Sequence, residues 1–475
     1  MLKTASNNYP EVNQLINRHK GLVESFQNFS MPDFDWKKPS NVLAPLAEAD
    51  DYTKTYAAIM CDNFVRKTMA DLTETSRANI PRWIKNSLAM ITYSIAEDLT
   101  GLVISEQPLP SRSGRIHYLD IQTEKSKGAL PVGTRVFDAL RGFIGTDDFS
   151  SHRVNNEPLG ASGGTQYLGT AAYTTVIPGS VEITDGNLKI YDDRNGNLIG
   201  DVGSPTGSYT NTINYVTGAM GLVTSGTTTG PLKISYGYNV EMALELPKYG
   251  IALRSVTVEA QPRALMAEWS IQSTMDLSAD WGIDAEPTIL DAGSKIINAE
   301  RFKHVVNHLR RVASGGSFVF DNATPTGITY RDHLDSFGIL LARTQHEIWK
   351  NTQRVRPNVL VHSPDTWFLL QYTRGFQSEG APMKSDSMAG PVKSGTLSMH
   401  NITCIADPTF PDASGMLTYK GDGIVNTAAV LATYIPFYRS PVHQKGLRKD
   451  VAMLTEYTIH EVNSQMMGTY TAINL

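Results

Sequence analysis

Cysteine is nearly absent: Cys61 and Cys404 are the two in the chain. Two thiols build neither a disulfide framework nor a cysteine-based zinc site, so the chain suits a reducing cytoplasm. Long apolar runs are missing too. None reaches the ~18 residues that cross a bilayer, and the opening MLKTASNNYPEVNQ lacks the apolar core of a signal peptide. The expectation is a protein without a membrane, made and used in a cytoplasm. An excess of one charge is also lacking. Lys and Arg number 42 against 47 Asp and Glu, a net charge of −5. That argues against a surface that grips nucleic acid everywhere and leaves room for a local basic face. The 475 residues, 41% hydrophobic and 19% charged, suit a soluble chain of several domains.

Catalytic signatures are scarce as well. There is no Gly-x4-Gly-Lys-Ser/Thr loop, and the run from Gly160 to Gly164 lacks a following lysine. No Gly-x-Ser-x-Gly elbow sits at a strand-to-helix junction. His304 and His308 stand four apart on a predicted helix, the spacing of a zinc pair. The residue after His304 is Val305, where a zinc protease needs its glutamate base. The simpler reading puts both histidines on a partly exposed helix edge. Asp291 and Asp321 have no partner visible in the sequence. Arg310 and Arg311 read as charge compensation at a helix C-terminus. No basic and aromatic stripe for single-stranded nucleic acid is present. The sequence predicts no catalytic residue, no cofactor and no metal.

What is there begins with one long helix from about Asp284 to Ser314. Ile289, Ala292, Ile296, Ala299, Phe302, Val306, Leu309 and Ala313 predict its buried face; Leu290, Ile297, Val305 and Val312 widen it. Pro287 fits the first turn, Asp284 and Glu286 suit the positive end, and Gly315 and Gly316 supply the stop. At ~1.5 Å per residue this spine is about 40 Å long.

Around it the chain divides. Residues 1–60 are polar and broken by Pro10, Pro32, Pro39 and Pro45, and read as an arm that must lie on something else. Residues 61–146 begin helical, are interrupted at Pro81, and run out as an extended excursion. Residues 147–240 are rich in Gly, Thr, Ser and Asn. Short strand candidates there are separated by Pro178-Gly179, Asp185-Gly186, Asn195-Gly196 and Thr217-Gly218, which predicts an inserted antiparallel β domain, a small sandwich or barrel. Residues 241–332 return as long strands and carry the spine. Residues 333–440 alternate helix and strand and read as an α/β lobe, with a loop from Arg374 to Pro391 and a strand from Thr396 to Ala406. Residues 441–475 end in a long strand, Ala452 to Val462, expected beside the strands before the spine. The fold class is α+β. Arms and excursions that are unstable alone imply an assembled oligomer.

The run from Leu253 resembles the major capsid proteins of T-even-type tailed phages. The matching positions are Val256, Val258, Glu259, Ala260, Arg263, Leu265, Ala267, Trp269, Asp276, Leu277, Gly282, Ile283, Asp284, Ala285 and Glu286. Weaker likeness covers Leu88 to Ile121 and Tyr434 to Val462. The resemblance implies the Hong Kong-97-type fold. Residues 1–60 would be its N-arm, the excursion its E-loop carrying the β insertion, the spine and long strands its P domain, and 333–440 its A domain. It also implies hexamers and pentamers that build an icosahedral shell, with neighbouring capsomers as partners. The shell would enclose double-stranded DNA without sequence-specific binding. It would be assembled in the host cytoplasm with portal and scaffold, and a decoration or minor vertex protein is a further partner. Relatives lose an N-terminal segment to a prohead protease that cuts after hydrophobic-x-Glu. Leu46-Ala47-Glu48 fits that pattern, so cleavage after Glu48 is expected; Ile104-Ser105-Glu106 also fits. Lys125 and Lys127 lie in the excursion, but no motif marks either for a covalent crosslink. The rival of the same fold is an encapsulin shell around protein cargo. Rivals of other classes are a hydrolase built on His304 and His308 and a sugar-binding adhesin.

Overall fold

A computed structural model describes residues 10–27, 41–70, 82–138, 142–143, 149–243, 245–282, 285–378, 390–423 and 426–475. The Pro81 break, Ile283 and Asp284 and most of the Arg374–Pro391 loop lie outside them. The chain forms two compact units, one of Met1–His117 with Ser255–Leu475 and one of Tyr118–Arg254.

In the first unit the spine helix is Ala285–Val312. Its buried residues are Ala285, Leu290, Gly293, Ser294, Ile297, Arg301, Phe302, Val305, Val306 and Leu309. The expected main row is therefore wrong in the N-terminal half, where Ile296 is 41% exposed. The buried seam instead follows Leu290, Ile297, Arg301 and Val305. A β-carbon on Gly293 would lie 2.4 Å from the Met453 sulfur, so the glycine lets the end of that side chain rest against the helix. Periodicity could not foresee a seam made partly of small and charged residues. Glu286 in the first turn meets Arg439 at 2.5 Å.

Below the spine lies a base sheet. Its strands run in the order Ser105–Pro108, Ala429–Arg439, Arg448–Glu461 and Gln261–Ser270, and His443–Lys445 pairs with Arg448–Glu461. The long return strand aligns antiparallel with the strand before the spine, Arg263 opposite Thr455. Helix Asp51–Ala70 packs here through Tyr56, Ala57, Met60, Cys61 and Phe64, with Leu290 and Ile297 from the spine. The expectation of an arm through residue 60 is thereby corrected. From Asp51 onward the chain is core helix, because Tyr52, Tyr56 and Phe64 bury their rings.

The C-terminal half of the spine serves a second core. Phe302, Val305, Val306 and Leu309 pack with Val359, Val361, Ile405 and Met416. These belong to a mixed sheet ordered Ser317–Asp321, Gly468–Ile473, Ser414–Thr418, Val359–His362, Ile402–Ala406, Val392–Leu397 and Phe376–Ser378. Its opposite face, with Leu360, Cys404, Leu417 and Tyr470, packs with Phe337 and Leu341 of helix Tyr330–Thr352 and with Leu369 and Leu370 of helix Pro364–Tyr372. A sheet covered on both faces needs continuous apolar strands, which explains NVLVH.

The sheets divide the chain differently from the expected 241–332, 333–440 and 441–475. Strand Ala429–Arg439 belongs to the base sheet, whereas Ser317–Asp321 and Gly468–Ile473 belong to the lobe sheet. Pairing partners, which no local pattern encodes, make this assignment. The expected strand Thr396–Ala406 is also two antiparallel strands. They are joined through a 3-10 turn, Ser398–His400, and Asn401 at φ 52°.

In the second unit, strands Arg153–Gly160, Leu232–Gly237, Glu182–Thr184, Lys189–Asp192 and Leu198–Gly200 form one sheet. Strands Thr212–Ile213, Ala219–Val223 and Gln166–Thr170 form another. All their pairings are antiparallel. The sheets share a core of Val154, Tyr173, Ile183, Ile190, Leu222, Ile234 and Tyr236. Gly179, Gly186, Gly196 and Gly218, the glycines of the four turn dipeptides, all have positive φ.

Candidate functional site

Arg301 stands where the row Ile297, Arg301, Val305 calls for an apolar residue. It is 2% exposed and ion-pairs with Asp98, itself buried just after helix Arg82–Glu97. Asp98 also caps the following turn, accepting from Thr100 N at 2.9 Å and Thr100 Oγ1 at 2.6 Å. Asn298 ties the spine to Ser94, whose hydroxyl lies 2.9 Å from its Oδ1. Beside this pair Glu106 and Lys420 are buried as well, Lys420 donating to the carbonyl of Gly101. Burial, then the nearby Asp98 charge, pushes the Glu106 carboxyl up to about 7, against the pull of Arg301 and Lys420. Burial likewise brings Lys420 down to about 8. Tyr52 donates to the Glu106 carbonyl, and burial holds the Tyr56 phenol well above its ordinary range. Segments around residues 52–56, 98–106, 301 and 420 thus meet in one buried ionic centre. The sequence reading missed it, although an arginine inside an apolar helical row was the available signal.

Three residues further on, the spine edges a cleft of about 640 Å³. His304, Asn307, His308, Arg310 and Arg311 line it from the helix; Ser414, Thr469 and Thr471 line it from the lobe sheet. His304 and His308 are half-buried, with Tyr457 Oη 3.3 Å from His304 Nδ1. Burial, then the Arg263 charge, brings His304 down to about 4; burial and Arg311 also lower His308. Among the described residues no three His, Cys, Asp or Glu side chains gather as a metal site. The pair therefore has no third ligand among those residues, and no base follows His304.

The remaining candidates fall elsewhere. Asp291 does have a partner, Lys295 at 2.8 Å, and Asp321 accepts from Asn474 Nδ2 at 2.8 Å. The first is a pair one turn apart on the spine and the second joins residues 153 apart in the chain; the sequence reading foresaw neither. The glycine run from Gly160 packs on Tyr167, where a β-carbon on Gly160 would lie 2.4 Å from the ring. Lys125 pairs with Glu245 and lies 4.5 Å from the Tyr173 ring centre. Lys127 is buried and donates to the carbonyls of Phe149 at 2.8 Å and Ser151 at 2.5 Å. Leu46 is buried at the end of a 3-10 turn, Ala44–Leu46, whereas Ala47 and Glu48 are exposed. In the competing tripeptide Ile104, Ser105 and Glu106 are all buried. On strand Tyr249–Glu259 the side chains of Tyr249, Ile251 and Leu253 alternate on one face and are each about two-thirds exposed, at 67%, 70% and 69%.

The family model described as major capsid protein Gp23 matches residues 81–472. No curated protein matches the chain. Solved structures with some likeness include the capsid of Myoviridae phage XM1 (9% identity, 48% of this chain and 78% of that one, TM-score 0.33). They include the mature capsid of bacteriophage PhiM1 (8%, 49% and 77%, TM-score 0.31). They also include the holo-SrpI encapsulin complex of Synechococcus elongatus (13%, 47% and 77%, TM-score 0.30). TM-scores of this size do not establish a shared fold.

Proposed function

The chain belongs to the major capsid protein Gp23 family, and from that membership we propose how it works as the building unit of a phage head. The observation that carries the reading is the family match across residues 81–472. The role is structural, the assembly of a capsid shell, and we propose that the chain performs no catalysis. The shell is icosahedral, of hexamers and pentamers, encloses double-stranded DNA, and forms in the host cytoplasm with portal and scaffold.

The Hong Kong-97-type assignment follows the same membership. The base sheet and spine serve as the P domain, the double-faced lobe as the A domain, and Tyr118–Arg254 as the E-loop with its β insertion. The apolar face of Tyr249, Ile251 and Leu253 supports an E-loop that lies on a neighbouring subunit. Extended backbone with exposed apolar side chains gives contacts that are individually weak and repeated many times. Cleavage after Glu48 is supported by the exposure of Ala47 and Glu48 and by burial of the competing tripeptide. N-terminal sequencing of mature particles should read Ala49 first; retention of Met1 ends this part of the proposal. Lys125 and Lys127 are already engaged, which supports a shell without covalent crosslinks.

Electron cryomicroscopy of the purified chain tests the whole. Closed shells are expected; oligomers that never close under varied salt and pH contradict it. An interior filled with DNA rather than a protein cargo separates a phage head from an encapsulin-like compartment.

A further inference from the structure

The cleft beside the C-terminal half of the spine has no part in the contacts assigned above. Four of its lining residues are Arg310, Arg311, His304 and His308, and none of its described lining residues is a carboxylate. Hydroxyls of Ser414, Thr469 and Thr471 and the amide of Asn307 complete the wall. At about 640 Å³ it has room for one or more phosphate groups with their water. The helix end contributes roughly half a negative charge, which two arginines exceed. Arg310 is steadied by the Phe410 ring, 5.9 Å away.

A second observation points to a ligand. Arg311 lies 3.2 Å from His308 Nδ1, so Nδ1 accepts and the proton belongs on Nε2. That Nε2 is buried and has no hydrogen-bond partner. A buried donor left unpaired is unfavourable, and an oxyanion brought against it would satisfy it. The electrostatics agree. His304 is kept neutral by burial and by the charges of Arg263, His308 and Arg311; His308 faces Arg311, with Glu461 the acidic group acting on it. The site carries positive potential with little internal counter-charge.

We propose that this cleft is a phosphate-binding site, in which Arg310, Arg311 and the Nε2 proton of His308 hold phosphate oxygens. The guanidinium fork matches two oxygens of one phosphate, and the Thr469 and Thr471 hydroxyls and the Asn307 amide complete the cradle, the Ser414 hydroxyl being given to Pro411 O. Its assignment to the backbone phosphates of duplex DNA rests on the capsid reading; free phosphate offers the same chemistry. His308 offers its Nε2 proton in the neutral form, with Nδ1 held by Arg311, so binding asks no proton of the imidazoles.

The test uses the full-length chain and a fluorescein-labelled 20-base-pair duplex, read by anisotropy across salt concentration. In the double variant R310Q/R311Q, binding should weaken at least tenfold at low salt. The salt slope should fall by about 2, at ~0.9 per lost phosphate contact. R310K/R311K should regain most of the slope, and R448Q, an exposed arginine paired with Glu268, should bind like the unaltered chain. Unchanged binding in R310Q/R311Q overturns the proposal, as does equal loss in the lysine variant, which would mark a structural effect, or equal loss in R448Q, which would mark a general basic surface. Inorganic phosphate titrated by calorimetry should bind the unaltered chain and bind R310Q/R311Q at least tenfold more weakly; equal binding overturns the proposal. Phosphate binding without duplex binding assigns the cleft to free phosphate and overturns the DNA source. Shells that close normally from R310Q/R311Q while duplex binding stays unchanged sink this inference alone. If the unaltered chain never closes a shell, the capsid reading fails and the phosphate titration still judges the cleft.

Discussion

Arg301 and Asp98 are worth more as a pair than either is alone. Each is out of water, and their attraction offsets the loss of hydration only while both are present. Arg301→Met should therefore lower the stability of the unassembled chain by about 3–5 kcal/mol, read as a shift in urea midpoint. The double variant D98N/R301M should recover part of that loss. If the double variant is as unstable as the sum of the singles, the two groups are not coupled. Glu106 makes a separate pH prediction. Its carboxyl is raised from 4.5 to about 7 in the folded chain, so the folded state binds the proton more tightly than the unfolded one. Its contribution is present in full below pH 4.5 and is lost as pH rises through about 7. The histidines act in the opposite sense: His304 and His362, both lowered to about 4, stabilise above pH 6.5 and lose that contribution as pH falls through 4. The difference in stability between the unaltered chain and Glu106→Gln isolates the first effect. That difference should move against the unaltered chain as pH rises from 5 to 8; a flat difference refutes the assignment.

At the scale of elements, the spine ends where backbone leaves no room. A β-carbon on Gly315 would sit 2.3 Å from the carbonyl oxygen of Gln465 and 2.7 Å from that of Met467. Neither is the end of a flexible side chain, so Gly315→Ala must move the strand connection and should cost about 1–3 kcal/mol. Gly293→Ala faces the sulfur end of Met453, which can swing aside, and should cost less. Thermal melts of the two variants rank them; the reverse order would mean the spine, not its stop, is the rigid part. Strand Tyr249–Glu259 makes the opposite kind of prediction. Ile251→Asp on its exposed face should leave the fold of the isolated chain intact by circular dichroism yet block shell closure. Normal shells from this variant would remove the strand from the subunit contact.

At the scale of the molecule, the β insertion behaves as a body with its own core. Its ends are held together, Tyr238 N donating to His152 O at 2.9 Å. Replacing residues 153–237 by a short Gly-Asn turn should therefore preserve shell formation under the electron microscope, with less density on the shell. Failure to form shells, with the shortened chain still folded, would make the insertion a required brace.

The sequence by itself determined the elements whose cause is local. The spine, its first-turn proline and its glycine stop are written in spacing and capping over a few residues, as are the four turn dipeptides of the insertion. The capsid family was legible too, through the run from Val256 to Glu286. Only the tertiary structure decided which strand joins which sheet. Ala429–Arg439 and Gly468–Ile473 exchange the domains expected of them because pairing is a property of two distant segments. It also decided which face of the spine is buried, since Gly293 and Arg301 take their places there through Met453 and Asp98, which lie far away in the chain. The cleft was half legible. His304, His308, Arg310 and Arg311 could be named from their helix, but the wall of Ser414, Thr469 and Thr471 could not, because a cavity exists only where separate elements fail to touch.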